Sequence, residues 1–296
     1  MAVIKEEILS LQEIKERLSK NELPISGETT LRSAKFKILR PAFYAGIALH
    51  TGRCVRPELL KKMAVSDRER YRDEDPYTDL FIQKFPIQII ACDSRFEYDL
   101  NRDRESCVYE KFKKKWNLKV WNDEPAAEEK ELSHKKFDEF FTLVDLISNF
   151  LLQQSSYAVI FDMHSFCFQR YEQKAWHIDE KPEINVGTMA SNRELFKPLI
   201  DDFINLLKRS KIENHQIRVA ENKLFPGGYL SRRIAKNHYS NILTLALEYK
   251  KIFMDELSGE FYPGIFGLLK TGFEHAVARF INRKHLILYF NRLIQT

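Results

Sequence analysis

The chain has 296 residues, of which 44% are hydrophobic and 30% are charged, and its formal net charge is +5. This balance is typical of a folded globular protein and excludes a largely disordered chain. With only ten glycines and ten prolines, collagen-like and low-complexity structures are excluded. At about 150 residues per domain, the length fits one large domain or two smaller ones.

Charge and cysteine usage indicate the cellular setting. The four cysteines are widely spaced, lack a CxxC pair and are interpreted as reduced thiols: Cys54, Cys92, Cys107 and Cys167. No apolar run approaches the roughly 18 residues of a membrane span, and the first residues do not resemble a signal peptide. We therefore expect a cytoplasmic protein with no membrane span.

One basic run, KFKKK at 111–115, interrupts an otherwise mixed charge pattern. A local patch for nucleic acid remains open at this run, but a solvated surface is the favoured interpretation for so small a net charge. We do not expect nucleic acid as a partner.

Hydrophobic spacing predicts alternating helices and strands. In chain order they are a helix at 4–20, a strand at 42–49, a helix at 57–64, a strand at 86–92, a helix at 125–153, a strand at 157–161, a helix at 193–209, strands at 216–220 and 242–247, and one or two helices within 262–293. This alternation predicts an α/β fold, with a mixed, largely parallel sheet flanked by helices in a single domain covering 1–296.

Polar side chains follow three of the predicted buried strands. His50 comes after the first strand, Asp162 and His164 come after the strand at 157–161, and Glu248 comes after the strand at 242–247. In open α/β sheets, ligands bind outside the carboxyl ends of the strands. The sequence therefore predicts two histidines and two carboxylates at one edge of the sheet.

This set of side chains is suited to metal-assisted hydrolysis. A catalytic zinc takes three protein ligands, usually histidines and a carboxylate, and keeps one position for water. His50 and His164 are the candidate histidine ligands, although either one could instead be structural. Asp162 is the candidate partner that orients the His164 imidazole.

Glu248 is the candidate general base for the attacking water. The alternative is a carboxylate at a strand end that pairs with Lys250 or Lys251. The spacing alone does not decide between the two.

A second cluster, SRFEYDLNR at 94–102, contains Arg95, Asn101 and Arg102. A guanidinium binds a carboxylate through two parallel hydrogen bonds, so these residues are candidates for holding a substrate carboxylate. The alternative is a surface lattice of ion pairs with neighbouring acidic residues.

A third cluster, NKLFPGGYLSRR at 222–233, places a Pro-Gly-Gly turn before a tyrosine and two arginines. Pro-Gly-Gly forms an adaptable turn, which makes this tract either a loop facing the substrate or a plain connection. It does not match a phosphate-binding loop.

Taken in order, four segments resemble the N-formylglutamate amidohydrolase family and, more distantly, the zinc carboxypeptidases and aspartoacylase. They are His50-Thr51-Gly52 with Pro57, the tract SRFEYDLNR, DMHS at 162–165, and the tract from Asn222 through Gly227-Gly228-Tyr229 to Glu248. The resemblance implies a zinc-carboxypeptidase-like (phosphorylase/hydrolase-like) fold.

The resemblance also implies roles for individual residues. His50 and His164 would bind zinc, Asn101 and Arg102 would hold the carboxylate of the substrate, and Glu248 would be the general base. Ser165 lies in the segment His-Ser-aromatic that looks like the carboxypeptidases. The residues that would shape the substrate pocket are Gly227, Gly228, Tyr229 and Arg232.

One position departs from the carboxypeptidases and aspartoacylase, which supply a zinc carboxylate three residues after the first histidine. Here that position is Arg53, which cannot bind a cation, so the third ligand has to come from elsewhere. The acidic tract at 73–79 lies where the amidohydrolase family has an acidic motif. Asp75 is the first choice and Glu74 the second, and the alternative is an acidic helix start.

The expectation from sequence is thus an amidohydrolase with one zinc ion per chain, acting on a small N-acyl amino acid such as N-formylglutamate. The alternatives are a carboxypeptidase-like or other deacylase acting on a peptide, and a degenerate binding protein without catalysis. The segment 103–135 could be a lid or a surface insertion. The oligomeric state is not indicated.

Overall fold

In a computed structural model of the chain, the structure describes residues 6–113, 118–168 and 181–282. The chain divides into two compact units, Met1–Gln154 and Ser155–Thr296. The single-domain organisation stays a prediction, and each unit is described by itself.

The described residues of the first unit form a set of short strands and five helices. Its strands are β1 (Glu7–Leu9), β2 (Ile25–Thr29), β3 (Ala34–Ile38), β4 (Tyr44–Ala48), β5 (Ile87–Ala91), β6 (Phe112–Lys113) and β7 (Leu118–Lys119). Its helices are α1 (Leu11–Ser19), α2 (Pro57–Leu60), α3 (Asp67–Asp73), α4 (Thr78–Phe81) and α5 (Ala127–Gln154), with a 3-10 turn at Arg104–Ser106. The larger strands lie in the order β1-β2-β3-β5-β4, and β6 pairs with β7 in a separate hairpin.

The strand that precedes the first candidate ligand is buried along its whole length. All five residues of β4 are buried, and β4 runs parallel to β5. On the other side of β5, strand β3 pairs with it antiparallel. The predicted strands at 42–49 and 86–92 are therefore confirmed.

The N-terminal helix is shorter than the 4–20 predicted. Ser10 caps α1. Its hydroxyl accepts a hydrogen bond from the backbone N–H of Glu13, and the Glu13 carboxylate accepts one from the backbone N–H of Ser10. This capping box fixes the helix start at Leu11. The preceding residues, including Ile8, form β1 and pair in parallel with β2.

The second unit has its own strands and helices. Its strands are β8 (Ala158–Phe166), β9 (Ile184–Gly187), β10 (Lys211–Ile212), β11 (His215–Gln216), β12 (Val219–Glu221) and β13 (Ile242–Lys250). Its helices are α6 (Arg193–Leu207), α7 (Tyr229–His238) and α8 (Pro263–Ile281). The strand order is β8-β13-β9-β12, with β8 and β13 parallel and β9 antiparallel to β13.

Aromatic packing forms the core of the second unit. The ring of Phe161 on β8 lies 5.4 Å from that of Phe203 on α6, and 6.0 and 6.4 Å from those of Phe273 and Phe280 on α8. All four side chains are buried. This cluster fixes β8 against the two helices.

The two central strands continue beyond the ends predicted for them. Strand β8 extends to Phe166 and β13 to Lys250, so Asp162, His164 and Glu248 lie inside strands rather than just after them. The predicted ends were wrong because the parallel pairing of β8 with β13 continues through these polar residues. His50 does follow its strand, as predicted.

Among the described strands, seven have no counterpart in the sequence prediction: β1, β2, β3, β6, β7, β9 and β10. The predicted strand at 216–220 is divided between β11 and β12. The fold is nevertheless a mixed, largely parallel sheet flanked by helices, which confirms the predicted α/β class. Among the described helices, none has the length and apolar character needed to cross a bilayer. Residues 114–115 of the basic run, and the predicted closing helix beyond 282, lie outside the described residues.

Candidate active site residues

The loop that follows His50 packs closely against the end of β5. A Cβ atom on Gly52 would lie 2.6 Å from the carbonyl oxygens of Ala91 and Asp93, so only glycine lets the backbone approach the end of β5 so closely. Just beyond it, the backbone N–H of Cys54 donates to the carbonyl of Cys92 over 3.1 Å. The His-Thr-Gly sequence thus lets the chain pass close to the end of β5 just after the histidine.

The imidazole of His50 lies between two buried carboxylates. Its Nε2 is 2.8 Å from Asp99 Oδ1, and its Nδ1 is 3.4 Å from Asp75 Oδ2. The backbone also joins the second pair, since the Asp75 N–H donates to the His50 carbonyl over 2.9 Å. A carboxylate beside one ring nitrogen orients the imidazole, as is common for histidines that bind metals.

Glu74, the second choice for a metal ligand, has different partners from Asp75. Its carboxylate accepts hydrogen bonds from the Ser94 hydroxyl and from Arg53 Nε, the latter over 3.2 Å. Burial raises the pKa of Glu74, while Ser94 and the nearby arginines oppose that rise. Arg53, which occupies the position where the carboxypeptidases have a zinc carboxylate, therefore forms an ion pair with Glu74.

Asp99 is the centre of a buried network. Its Oδ2 accepts hydrogen bonds from the Tyr109 hydroxyl and from Arg95 Nη2, the latter over 2.8 Å. Its Oδ1 accepts the Asn101 backbone N–H over 2.9 Å, beside His50. Burial alone would raise the pKa of Asp99, but the charges of Arg95 and His50 outweigh it and hold that pKa well below its ordinary value.

Two of the residues proposed to hold a substrate carboxylate differ in exposure. The Arg95 side chain is 18% exposed and bonds Asp99, whereas the Arg102 side chain is 40% exposed. The Arg102 guanidinium lies 4.6 Å from the centre of the Tyr109 ring. Arg102 is therefore the cation in this cluster with more of its surface open to a ligand.

In the second unit, the candidate polar residues lie on neighbouring strands. His164 on β8 is the register partner of Glu248 on β13, and Ser165 is the partner of Tyr249. Asp162 Oδ1 lies 3.0 Å from His164 Nε2. His164 is 2% exposed and Glu248 8%, so both are largely withdrawn from solvent. Asp162 and His164, which the sequence analysis paired, thus lie within ion-pair distance of each other.

The loop at 222–228 is fixed by β9. The Asn185 side-chain amide donates to the Phe225 carbonyl over 2.7 Å and accepts from the Leu224 N–H over 2.9 Å. A Cβ atom on Gly187 would lie 2.6 Å from the nitrogen of Gly227, whose φ of +118° itself favours glycine. The Pro-Gly-Gly tract is therefore a closely packed loop.

The remaining candidates lie where this loop enters a helix. Gly228 is the residue before α7, without a side chain to cap the helix, and Tyr229 is its first residue. Arg232 is exposed one turn further on. The helix start presents backbone N–H groups, which favour an anionic group nearby.

Three residues of these networks have roles that the sequence prediction missed. Asp99 was grouped with the substrate-binding tract, whereas it bonds the His50 ring. Tyr109 was part of the unexplained segment 103–135, and Asn185 was not singled out. Only Asp99 lay in a motif, and its connection to a histidine 49 residues away is visible only in the folded chain.

Comparison with known proteins places the chain in a family. A family model described as N-formylglutamate amidohydrolase matches residues 47–253, which is more than half of the chain. The chain belongs to the N-formylglutamate amidohydrolase family. As a member, it is an amidohydrolase, an enzyme class that hydrolyses amide bonds, and its family implies a small-molecule substrate. The matched range includes every candidate residue from His50 to Glu248.

Solved structures are similar in fold to this amidohydrolase family member. An N-formylglutamate amidohydrolase from Ralstonia eutropha JMP134 is 13% identical, with a TM-score of 0.67, covering 88% of this chain and 98% of that one. A gene product from Agrobacterium tumefaciens is 13% identical, with a TM-score of 0.56, covering 80% and 90%. A metallo-carboxypeptidase from Burkholderia cenocepacia is 11% identical, with a TM-score of 0.36, covering 84% and 60%. Among curated proteins, no sequence matches this chain.

Proposed function

We propose that this protein is a zinc-dependent amidohydrolase that cleaves the amide bond of an N-acyl amino acid, with N-formylglutamate as the first candidate substrate. The observation that carries the proposal is the same in both units: each candidate histidine has a ring nitrogen beside a buried carboxylate. Asp99 lies beside His50, and Asp162 lies beside His164. Family membership supports the same reaction class.

The proposed metal ligands are His50, Asp75 and His164. Each is buried, and each offers an imidazole nitrogen or a carboxylate oxygen, a donor set that fits a catalytic zinc. Asp75 is preferred to Glu74, because Glu74 already bonds Arg53 and Ser94. A zinc ion, when bound, supplies Lewis acidity that makes a water molecule acidic enough to lose a proton near pH 7.

Glu248 is the proposed general base. Its position as register partner of His164 supports a role beside a metal ligand. It would take the proton from the attacking water and return it to the leaving amine, so the same carboxylate serves as base and then as acid. Asp162 would keep the His164 ring in one orientation throughout.

Substrate recognition is proposed for two sets of side chains. Arg102 and Asn101 would hold the carboxylate of the amino acid, with Arg95 contributing from the same tract. Arg102 is the favoured contact because it is the more exposed arginine of the two. The set proposed to shape the pocket comprises Ser165, Gly228, Tyr229 and Arg232.

The first experiment compares Glu248→Gln and Arg102→Ala with wild type on N-formylglutamate. The Gln variant cannot take a proton, so we expect kcat to fall by roughly 10²–10⁴. Loss of a charge-assisted contact in Arg102→Ala is expected to raise KM by about 10-fold or more. Matched controls are Glu194→Gln and Arg32→Ala, both exposed, which should behave as wild type.

A panel of substrates tests the proposal that the substrate is an N-acyl amino acid. N-formylglutamate, N-acetylaspartate and peptides with a free C-terminus are offered to the zinc-loaded protein side by side. The proposed substrate class would be contradicted if the peptide were cleaved and N-formylglutamate were not hydrolysed. Normal activity of Glu248→Gln would contradict the proposed mechanism.

A further inference from the structure

We propose that Tyr109 is a positioning residue with two roles in the first unit, one toward the proposed metal ligand His50 and one toward the proposed substrate-binding residue Arg102. Its hydroxyl holds Asp99, which orients His50, and its ring supports Arg102, the proposed carboxylate-binding cation. This inference rests on the proposed function, because it assigns a role toward the residues named there.

The hydroxyl determines how Asp99 is oriented. Tyr109 and Arg95 both donate to Asp99 Oδ2, while Oδ1 lies 2.8 Å from His50 Nε2. Two donors on one oxygen fix the carboxylate plane, so that the other oxygen stays directed at the imidazole. Without the Tyr109 hydroxyl, that oxygen would keep one hydrogen bond, from Arg95 Nη2, and the longer ion-pair contact of 3.7 Å with Arg102 Nε.

The ring of Tyr109 limits the motion of Arg102. The guanidinium carbon lies 4.6 Å from the ring centre, within the range of a cation–π interaction. Arg102 is 40% exposed and has a long, flexible side chain. Stacking on a fixed ring reduces the number of conformations that Arg102 has to give up when it binds an anion.

Tyr109 is itself rigidly placed. It is 3% exposed, its ring lies 5.8 Å from that of Phe96, and its carbonyl accepts the Trp121 indole N–H over 2.9 Å. It belongs to a buried cluster that also contains Val120 and Trp121. This part of the segment 103–135 is therefore a scaffold for the candidate residues rather than a plain surface insertion.

The two functions of Tyr109 are separable by substitution. Tyr109→Phe removes the hydroxyl and keeps the ring, whereas Tyr109→Leu removes both. Tyr98→Phe is the matched control, since Tyr98 is equally buried and its hydroxyl bonds Asp93 over 2.6 Å, not Asp99. It reproduces the loss of a buried hydroxyl without touching the His50 network.

For each variant, zinc affinity is measured on the metal-free protein by competition with a chelating dye, and kcat and KM are measured with N-formylglutamate. We expect Tyr109→Phe to lower zinc affinity by about 10-fold or more, as for other groups that orient a ligand, with KM within about twofold of wild type. We expect Tyr109→Leu to raise KM in addition. Tyr98→Phe should keep wild-type zinc affinity and KM, whatever it loses in thermal stability.

Wild-type zinc affinity in Tyr109→Phe would overturn the inference. So would an equal loss of affinity in Tyr98→Phe, or an unchanged KM in a folded Tyr109→Leu. If Tyr109→Leu does not fold, the zinc affinity of Tyr109→Phe decides alone. A wild-type protein that neither binds zinc nor hydrolyses the substrate would instead defeat the proposed function, and the inference with it.

Discussion

At the scale of single residues, the buried carboxylates of the first unit differ because their neighbours differ. Asp99 faces Arg95 and His50, which outweigh its burial and lower its pKa. Asp93 is also buried, but there burial prevails and raises its pKa to about 6, although Lys136 opposes the shift. Both carboxylates come from one short stretch of sequence, yet their pKa values shift in opposite directions because their surroundings in the folded chain differ.

The raised pKa of Asp93 predicts a pH dependence of stability. Because the folded state holds this proton more tightly than the unfolded state, the contribution of Asp93 to the unfolding free energy should rise as the pH falls from about 7 toward 4.5. The expected gain from this group is about 2 kcal/mol at pH 4.5. Urea unfolding of wild type and of the double variant Asp93→Asn/Lys136→Met, measured at both pH values, isolates this contribution.

The double variant removes the buried pair as a unit and leaves no unpaired charge. It should lack the extra stabilisation at low pH. A difference between wild type and variant that stays constant from pH 7 to 4.5 would contradict the assignment.

Sequence reasoning singled out polar residues that end or interrupt apolar runs, and their roles in the site stay predictions. His50, Asp162, His164 and Glu248 stood out because each is polar beside a buried strand. The connection of Asp99 to His50, and the presence of Tyr109 beside Arg102, could not be predicted, because both depend on mostly irregular backbone between β5 and β6. No periodicity describes such a segment.

At the scale of elements, the loop at 222–228 depends on a close approach to β9. In Gly187→Ala the new methyl group would lie 2.6 Å from the nitrogen of Gly227 and 2.9 Å from the carbonyl oxygen of Phe225. The loop has to move, so we expect a loss of roughly 1–3 kcal/mol in unfolding free energy. KM should also rise if Gly228 and Tyr229 shape the pocket.

Gly264→Ala is the matched control for this prediction. Gly264 lies in the first turn of α8, and a Cβ atom there has no neighbour within 4 Å. Alanine is the better helix former, so this variant should be unchanged or more stable by up to about 1 kcal/mol. Urea unfolding and steady-state kinetics check both variants, and an unaltered Gly187→Ala would contradict the tight packing.

The aromatic cluster of the second unit gives another prediction. Phe161→Ala would leave a cavity among Phe203, Phe273 and Phe280. We expect it to lower the unfolding free energy by about 3–5 kcal/mol, whereas Leu268→Ala, at a side chain 41% exposed, should change it by less than about 1 kcal/mol. Equal effects of the two substitutions in urea unfolding would show that Phe161 is not central to this core.

Long apolar elements were predictable, and short or interrupted ones were not. The helix α5 and the strand β4 carry clear patterns, and both were predicted. Strand β3 alternates buried Ala34, Phe36 and Ile38 with two lysines, a period-two signal over only five residues that was missed. The ends of β8 and β13 were misplaced because polar residues in a buried strand look like a strand end.

At the scale of the whole molecule, the family match extends through residues of both units. A zinc ion bound as proposed by His50, Asp75 and His164 would stabilise the folded chain by an amount that grows with the logarithm of the free zinc concentration above its dissociation constant. Four motifs in order were enough to predict this family from sequence, although each motif alone is weak.

The measurement that tests the central claim most directly is the metal content of the purified protein, by elemental analysis, for wild type, His164→Ala and His275→Ala. His275 is exposed on α8 and serves as the matched histidine control. The account predicts about one zinc per chain in wild type and His275→Ala, and little in His164→Ala. No metal in wild type after zinc is added back, or wild-type content in His164→Ala, would contradict it.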